Sequence, residues 1–186
     1  MCCFGSGPGP VVFRPEETKI KGSIKYSVIG KYNAHFNKFK CRIGINEHSN
    51  VVESVYLEID TATIESDCRW CDRIVRSSQL LAAEKYPKIM FTSQRIIKDT
   101  NDWKVVGFLE MHGVKSEVVF PFQVKILPNS TALESIFDLS GHWEIKRKDF
   151  NIIWNKLLDH GGVLVGDYIN VDWSIKTEVK YKSEDL

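Results

Sequence analysis

Polar and apolar residues alternate one by one along most of this chain, and that period of two constrains its fold more than any other feature. Successive side chains of a strand point to opposite faces, so alternation marks strands with one buried face. Residues 23–28 and 38–45 alternate in this way. Val55, Leu57 and Ile59 share a face opposite Tyr56, Glu58 and Asp60. Ile89, Phe91 and Ser93 share another, as do Val105, Gly107, Leu109 and Met111, and then Val118, Phe120 and Phe122. Leu139, Gly141, Trp143 and Ile145 follow, and last Ile169, Val171, Trp173 and Ile175. About eight such strands each carry an apolar face that must be covered, by closure or by a second sheet. Aromatics at 11% of residues, with recurrent Val, Ile and Thr, suit strands.

One short helical segment is expected near residues 72–83, where Ile74, Val75, Leu80 and Leu81 supply an apolar side and Pro87 forbids continuation. Short connections elsewhere predict an antiparallel meander. An up-and-down barrel leaves no open edges, and at about eight strands its interior can hold one small ligand. A two-sheet sandwich is the alternative. The fold class is all-β in either case.

The 186 residues fit one domain. Residues 1–18 read as a flexible Gly/Pro-rich leader, 19–180 as the β domain and 181–186 as a charged tail. A formal charge of +1 implies no basic face for nucleic acid. No run of about 18 apolar residues could span a membrane, although transient membrane contact stays open. The N-terminus lacks a secretory signal, which places the sequence as it stands in the cytoplasm, or in the periplasm if a leader was removed.

Chemistry-bearing patterns are few. Cys68-Arg69-Trp70-Cys71 has the spacing of a redox dithiol or half a zinc site, but no second pair completes four ligands and no βαβ unit surrounds it. The five histidines are scattered, with no i, i+4 pair. No catalytic residue and no metal site is therefore assigned.

Several motifs, in order, resemble one family. They include Ala34-His35-Phe36-Asn37-Lys38-Phe39, where family members carry Gly first; Asp60-Thr61-Ala62-Thr63-Ile64; Asp72 with Arg76-Ser77; and Glu84-Lys85-Tyr86-Pro87. Phe91-Thr92-Ser93, Gly107 with Leu109, His112-Gly113-Val114-Lys115, Arg147-Lys148-Asp149-Phe150 and Val165-Gly166-Asp167 continue the series. Together they resemble the YceI-like, polyisoprenoid-binding family over residues 23–179. Departures are Cys71 and Ile74, where an Arg and a His are usual, and Asn151 in place of a common Gly.

The resemblance implies an extended, lipocalin-like antiparallel barrel of bacterial type that binds, sequesters or carries a polyisoprenoid or an isoprenoid quinone without catalysis. It implies no required cofactor, and a homodimer is open because many members pair. Val55, Leu57, Ile59, Ile89, Phe91, Leu109, Met111, Val118, Phe120, Phe122, Trp143 and Trp173 are candidates to line the cavity. The same side chains could instead fill a solid core. Arg76, His112 and Arg147 are candidates for a lipid headgroup at the mouth, against the plainer roles of pinning a helix for Arg76 and serving a turn for His112. Two other functions stay open, a redox module on Cys68 and Cys71 and a structural barrel with a filled interior.

Overall fold

The alternating segments pair edge to edge into one curled antiparallel sheet. The computed structural model describes residues 11–13, 17–26, 30–46, 49, 51–98, 103–128, 134–156 and 164–180. Its strands are β1 (Val11–Phe13), β2 (Lys19–Tyr26), β3 (Gly30–Phe36), β4 (Phe39–Asn46), β5 (Val51–Asp60) and β6 (Ile64–Glu65). The helix α1 (Arg69–Arg76) follows, and then β7 (Lys88–Lys98), β8 (Trp103–Met111), β9 (Val114–Pro128), β10 (Glu134–Lys146) and β11 (Val165–Lys180). Most of the expected leader and all of the expected tail lie outside the described residues. Within the leader, Val11–Phe13 pairs with Thr177, Glu178 and Val179 of β11, so this stretch is a strand. Its β-branched pair suits that conformation.

Strand order runs β4-β5-β7-β8-β9-β10-β11-β2-β3-β6, with β1 against β11. The path has ends at β4 and β6, yet these ends are not free. β3 and β4 are halves of one bent strand interrupted at Asn37 and Lys38, and β5 and β6 are halves of another, interrupted by the turn Thr61–Thr63. Asp60 N donates to the Lys38 carbonyl at 3.0 Å and Asn37 N to the Thr63 carbonyl at 3.3 Å, which carries the ladder across both interruptions. Counted as bent strands, the ten strands of the path become eight around a circuit that returns to its start.

An α-helical insertion interrupts the meander. The helix starts at Arg69, ahead of the expected residue 72, because Cys68 caps it: the Cys68 sulfur accepts from Cys71 N at 3.2 Å. It ends at Arg76, well before residue 83, because Ser77 is extended and its hydroxyl turns back to the Ile74 carbonyl at 2.7 Å. Residues 77–87 are turns from there on, with Ala82 in the left-handed region at φ 46°. The β8–β9 hairpin closes on His112 (φ 52°) and Gly113 (φ 76°), two positive φ values in a row, as a turn matched to strand twist demands. A Cβ on Gly113 would also lie 2.6 Å from the Tyr86 ring.

The two ends of the barrel differ. At one end, called here the floor, Ile45, Val52, Trp103, Phe137 and Thr177 are buried and packed; Phe137 and Thr177 are fully enclosed. At the opposite end, the cap, α1 with residues 77–87 and the segment 147–156 lie over the strand ends.

Candidate functional site: an apolar cavity under the cap

Between the packed floor and the cap the interior is hollow. A cavity of about 210 Å³ lies there, walled almost entirely by hydrocarbon. All the nominated lining residues except Val118 border it. Val118 instead packs, partly buried, against the surrounding core. Further inward positions join them, Ile20 and Ile43 from β2 and β4, and Val105, Leu139, Ile169 and Ile175 from strands already represented. These share the alternating faces already legible in the sequence. Leu80, Leu81 and Ile152 also line the cavity. They come from non-strand segments, and the sequence marked Leu80 and Leu81 only as the apolar side of a helical segment.

Aromatic rings shape the middle of the tunnel. Phe120 stacks on Trp143 with centroids 4.9 Å apart and tilts against Phe91 at 5.2 Å. Trp173 meets Phe120 edge-on at 6.2 Å. These contacts fall in the range where aromatic pairs attract beyond simple burial. Two glycines make the room. A Cβ on Gly141 would come within 2.7 Å of the Trp173 ring, and one on Gly107 within 2.8 Å of the Phe91 ring.

Polar exceptions in the wall are nearly all accounted for. Arg147 reaches the lining but is 1% exposed, and its guanidinium is spent on backbone carbonyls. It donates to Gly166 at 2.7 Å, Trp154 at 2.9 Å and Val165 at 3.4 Å, and also to Ile152. Desolvation pulls its pKa down, and the nearby Asp167 carboxylate, 3.7 Å away, opposes this. Tyr32 donates its hydroxyl to Asp72 at 2.7 Å; burial and then that bond push its pKa up, so it stays neutral. Asp72 is buried at the root of α1 and also accepts from the Ser66 hydroxyl and from Ser66 N at 3.1 Å. Burial alone would raise its pKa, but the bonds from Ser66 and Tyr32 outweigh burial and hold it below the ordinary carboxylate value. Two cases remain: Ser23, with a buried hydroxyl that finds no partner among the described residues, and Lys21, which borders the cavity but is exposed.

The other two headgroup candidates stand outside the cavity wall. Arg76 donates to the Ile64 carbonyl at 3.1 Å and the Ala62 carbonyl at 3.4 Å, so it pins α1 through backbone carbonyls. His112 Nδ1 lies 3.0 Å from the Phe150 carbonyl, an acceptor only, so that nitrogen carries the proton. The ring also packs on Tyr86 at 4.7 Å. Arg76, His112 and Arg147 therefore hold the cap together, each at a different seam.

Cys68 and Cys71 are joined as a disulfide in the first turn of α1. Neither lines the cavity. Cys41 is a buried free thiol whose pKa burial pushes up to about 12, which leaves it protonated and unreactive at neutral pH. No helix among the described residues is long and apolar enough to cross a membrane.

Comparison with known proteins places this architecture. Residues 12–177 match the model of the YceI-like domain. A UPF0312 protein of Yersinia enterocolitica is 29% identical over 135 residues, 72% of this chain and 69% of that one. Among solved structures, Burkholderia cenocepacia BcnA superposes with a TM-score of 0.73 at 20% identity, covering 88% of this chain and 98% of its own. A polyisoprenoid binding domain from Saccharophagus degradans, implicated in plant cell wall breakdown, gives 0.64 at 13% identity over 92% and 99% of the two chains.

Proposed function

As the chain belongs to the YceI-like domain family, we propose that its barrel is a non-enzymatic binding protein for a polyisoprenoid or similar long-chain amphiphile, with an isoprenoid quinone as one such ligand. The observation that carries this reading is the hollow under the cap, lined almost entirely by hydrocarbon, with Tyr32 and Arg147 in its wall already hydrogen-bonded elsewhere. An isoprenoid tail offers almost no hydrogen-bonding groups, so it suits apolar walls in which, among the described residues, only the Ser23 hydroxyl is left without a partner.

Magnitudes favour a long tail over a short one. Burying hydrocarbon yields roughly 0.8 kcal/mol per CH₂, or up to about 4 kcal/mol for a five-carbon isoprene unit. Association and ordering cost about 4–15 kcal/mol, so several units must be buried before affinity is useful. Pockets that enclose drug-sized ligands run to about 300–1,000 Å³, more than the 210 Å³ found here. The cavity therefore houses only part of a long tail without movement of its walls. The rest must leave through an opening or displace side chains of the cap.

Native mass spectrometry of the gently purified protein, followed by organic extraction, tests the proposal. A co-purifying prenyl lipid, or stoichiometric uptake of an added isoprenoid quinone, is the expected result. An empty protein that also takes up no added prenol or quinone would overturn it.

A further inference from the structure

The barrel has a recess in its side wall as well as a cap. Where the bent strand passes from β3 to β4, its neighbour β2 has only just begun, and the wall is notched. The notch holds about 870 Å³ and opens to solvent. Ile20, Lys21 and Phe36 line both the notch and the apolar cavity, so the two spaces share a wall.

The charges around this notch are uneven. Lys40 and Lys88 lie 3.6 and 2.9 Å from the single carboxylate of Glu58. Lys19, Lys21 and Lys38 also line the notch and are exposed. Among the described residues none of these three makes a salt bridge. Asp60, the other acid of the lining, turns its carboxylate back to Ala62 N at 3.1 Å. A recess with surplus charge of one sign concentrates ions of the other.

The polar groups of the cap, by contrast, are occupied: Arg76, His112 and Arg147 all bond to backbone carbonyls. Resting on the lipid-binding reading above, we infer that the polar head of the bound amphiphile lies in the wall notch and not under the cap, and that this head is a phosphate-type anion held by Lys19, Lys21 and Lys38. The tail then passes Ile20 and Phe36 into the barrel, and the part that the cavity cannot house lies in the notch. Lys21, which is exposed, borders both regions.

Binding of three probes to the full chain tests this: geranylgeranyl phosphate, geranylgeraniol and inorganic phosphate. The wild type is expected to bind the phosphate lipid about tenfold more tightly than the alcohol at low salt, as three exposed charge contacts would give, with the gap narrowing as salt rises. The triple variant Lys19→Gln, Lys21→Gln, Lys38→Gln is expected to bind both lipids equally, at the wild-type affinity for the alcohol. That retained alcohol binding shows the variant is folded. A control triple variant, Lys31→Gln, Lys104→Gln, Lys125→Gln, is expected to keep the preference. Equal affinity for the two lipids in the wild type, or a preference that survives in the first variant, overturns the inference. Inorganic phosphate binding as tightly as the phosphate lipid overturns it too, since the notch would then take a free anion and not a lipid head. If neither lipid binds, the lipid-binding reading itself falls.

Discussion

Arg147 carries a charge into a wall that is otherwise hydrocarbon. The charge is tolerable only because four carbonyls surround it: Ile152 and Trp154 from the cap segment, and Val165 and Gly166 from the start of β11. Arg147→Met would leave those carbonyls facing an apolar side chain. The expected loss is at least about 3 kcal/mol, the worth of one to two charge-assisted hydrogen bonds. Urea unfolding would measure it, and hydrogen exchange should rise over residues 152–156. A variant as stable as the wild type would contradict this role. Asp72 makes a pH-dependent contribution of definite sign. Its folded pKa is depressed, so the stability it adds is fully present above its unfolded pKa, about 4, and is lost as pH falls through the lower folded value. Asp72→Asn keeps the shape and removes the titration. The stability gap between wild type and variant is expected to be full at pH 7 and to shrink below about pH 4. A gap that stays constant or widens on acidification would contradict the assignment. Neither role was legible beforehand, because the partners of Arg147 are backbone carbonyls, and those of Asp72 are Tyr32, far along the chain, and Ser66, at a spacing that marks no helical or strand pattern.

Strands and helix differ in how much the sequence discloses of them. Alternation is strong in β5, β7, β8, β9, β10 and β11, so their inward faces could be read directly, Trp143 and Trp173 included. The bend at Asn37 and Lys38 left no signal of continuity. It looks like a hairpin between two strands, and only the ladder bonds across Thr61–Thr63 reveal one bent pair. The helix begins three residues before the expected segment because its start depends on Cys68, whose capping sulfur is not among the usual side-chain caps. The disulfide to Cys71 encloses a very short loop in that first turn. At this loop length its contribution is at the low end of the usual range, about 2 kcal/mol. Reduction is expected to speed hydrogen exchange in α1 and residues 77–81 while leaving β8–β11 protected. Uniform loss of protection across the sheet would contradict that local role. Because α1 bears Val75 on the cavity wall, the same experiment done with a bound prenol reports whether a looser cap releases it sooner.

For the whole molecule, the distribution of filled and empty space matters more than barrel closure alone. The floor is packed by Phe137, Ile45 and Val52, and the cap is pinned by Arg76, His112 and Arg147. The hollow between them holds about 210 Å³, and the wall notch shares Ile20 and Phe36 with it. An eight-stranded circuit leaves an interior that can equally be filled or hold one small ligand, and alternation alone could not choose between these. The choice rests on side-chain sizes around the ring, with Gly107 and Gly141 admitting Phe91 and Trp173 to the wall without closing the bore. The most direct test is the affinity of the full chain for a series of prenols of increasing length. Affinity is expected to rise tenfold or more with each added isoprene unit, as burial worth up to about 4 kcal/mol per unit allows, and then to level off once the hollow is full. Affinity that is independent of length, or no binding at any length, would contradict the account.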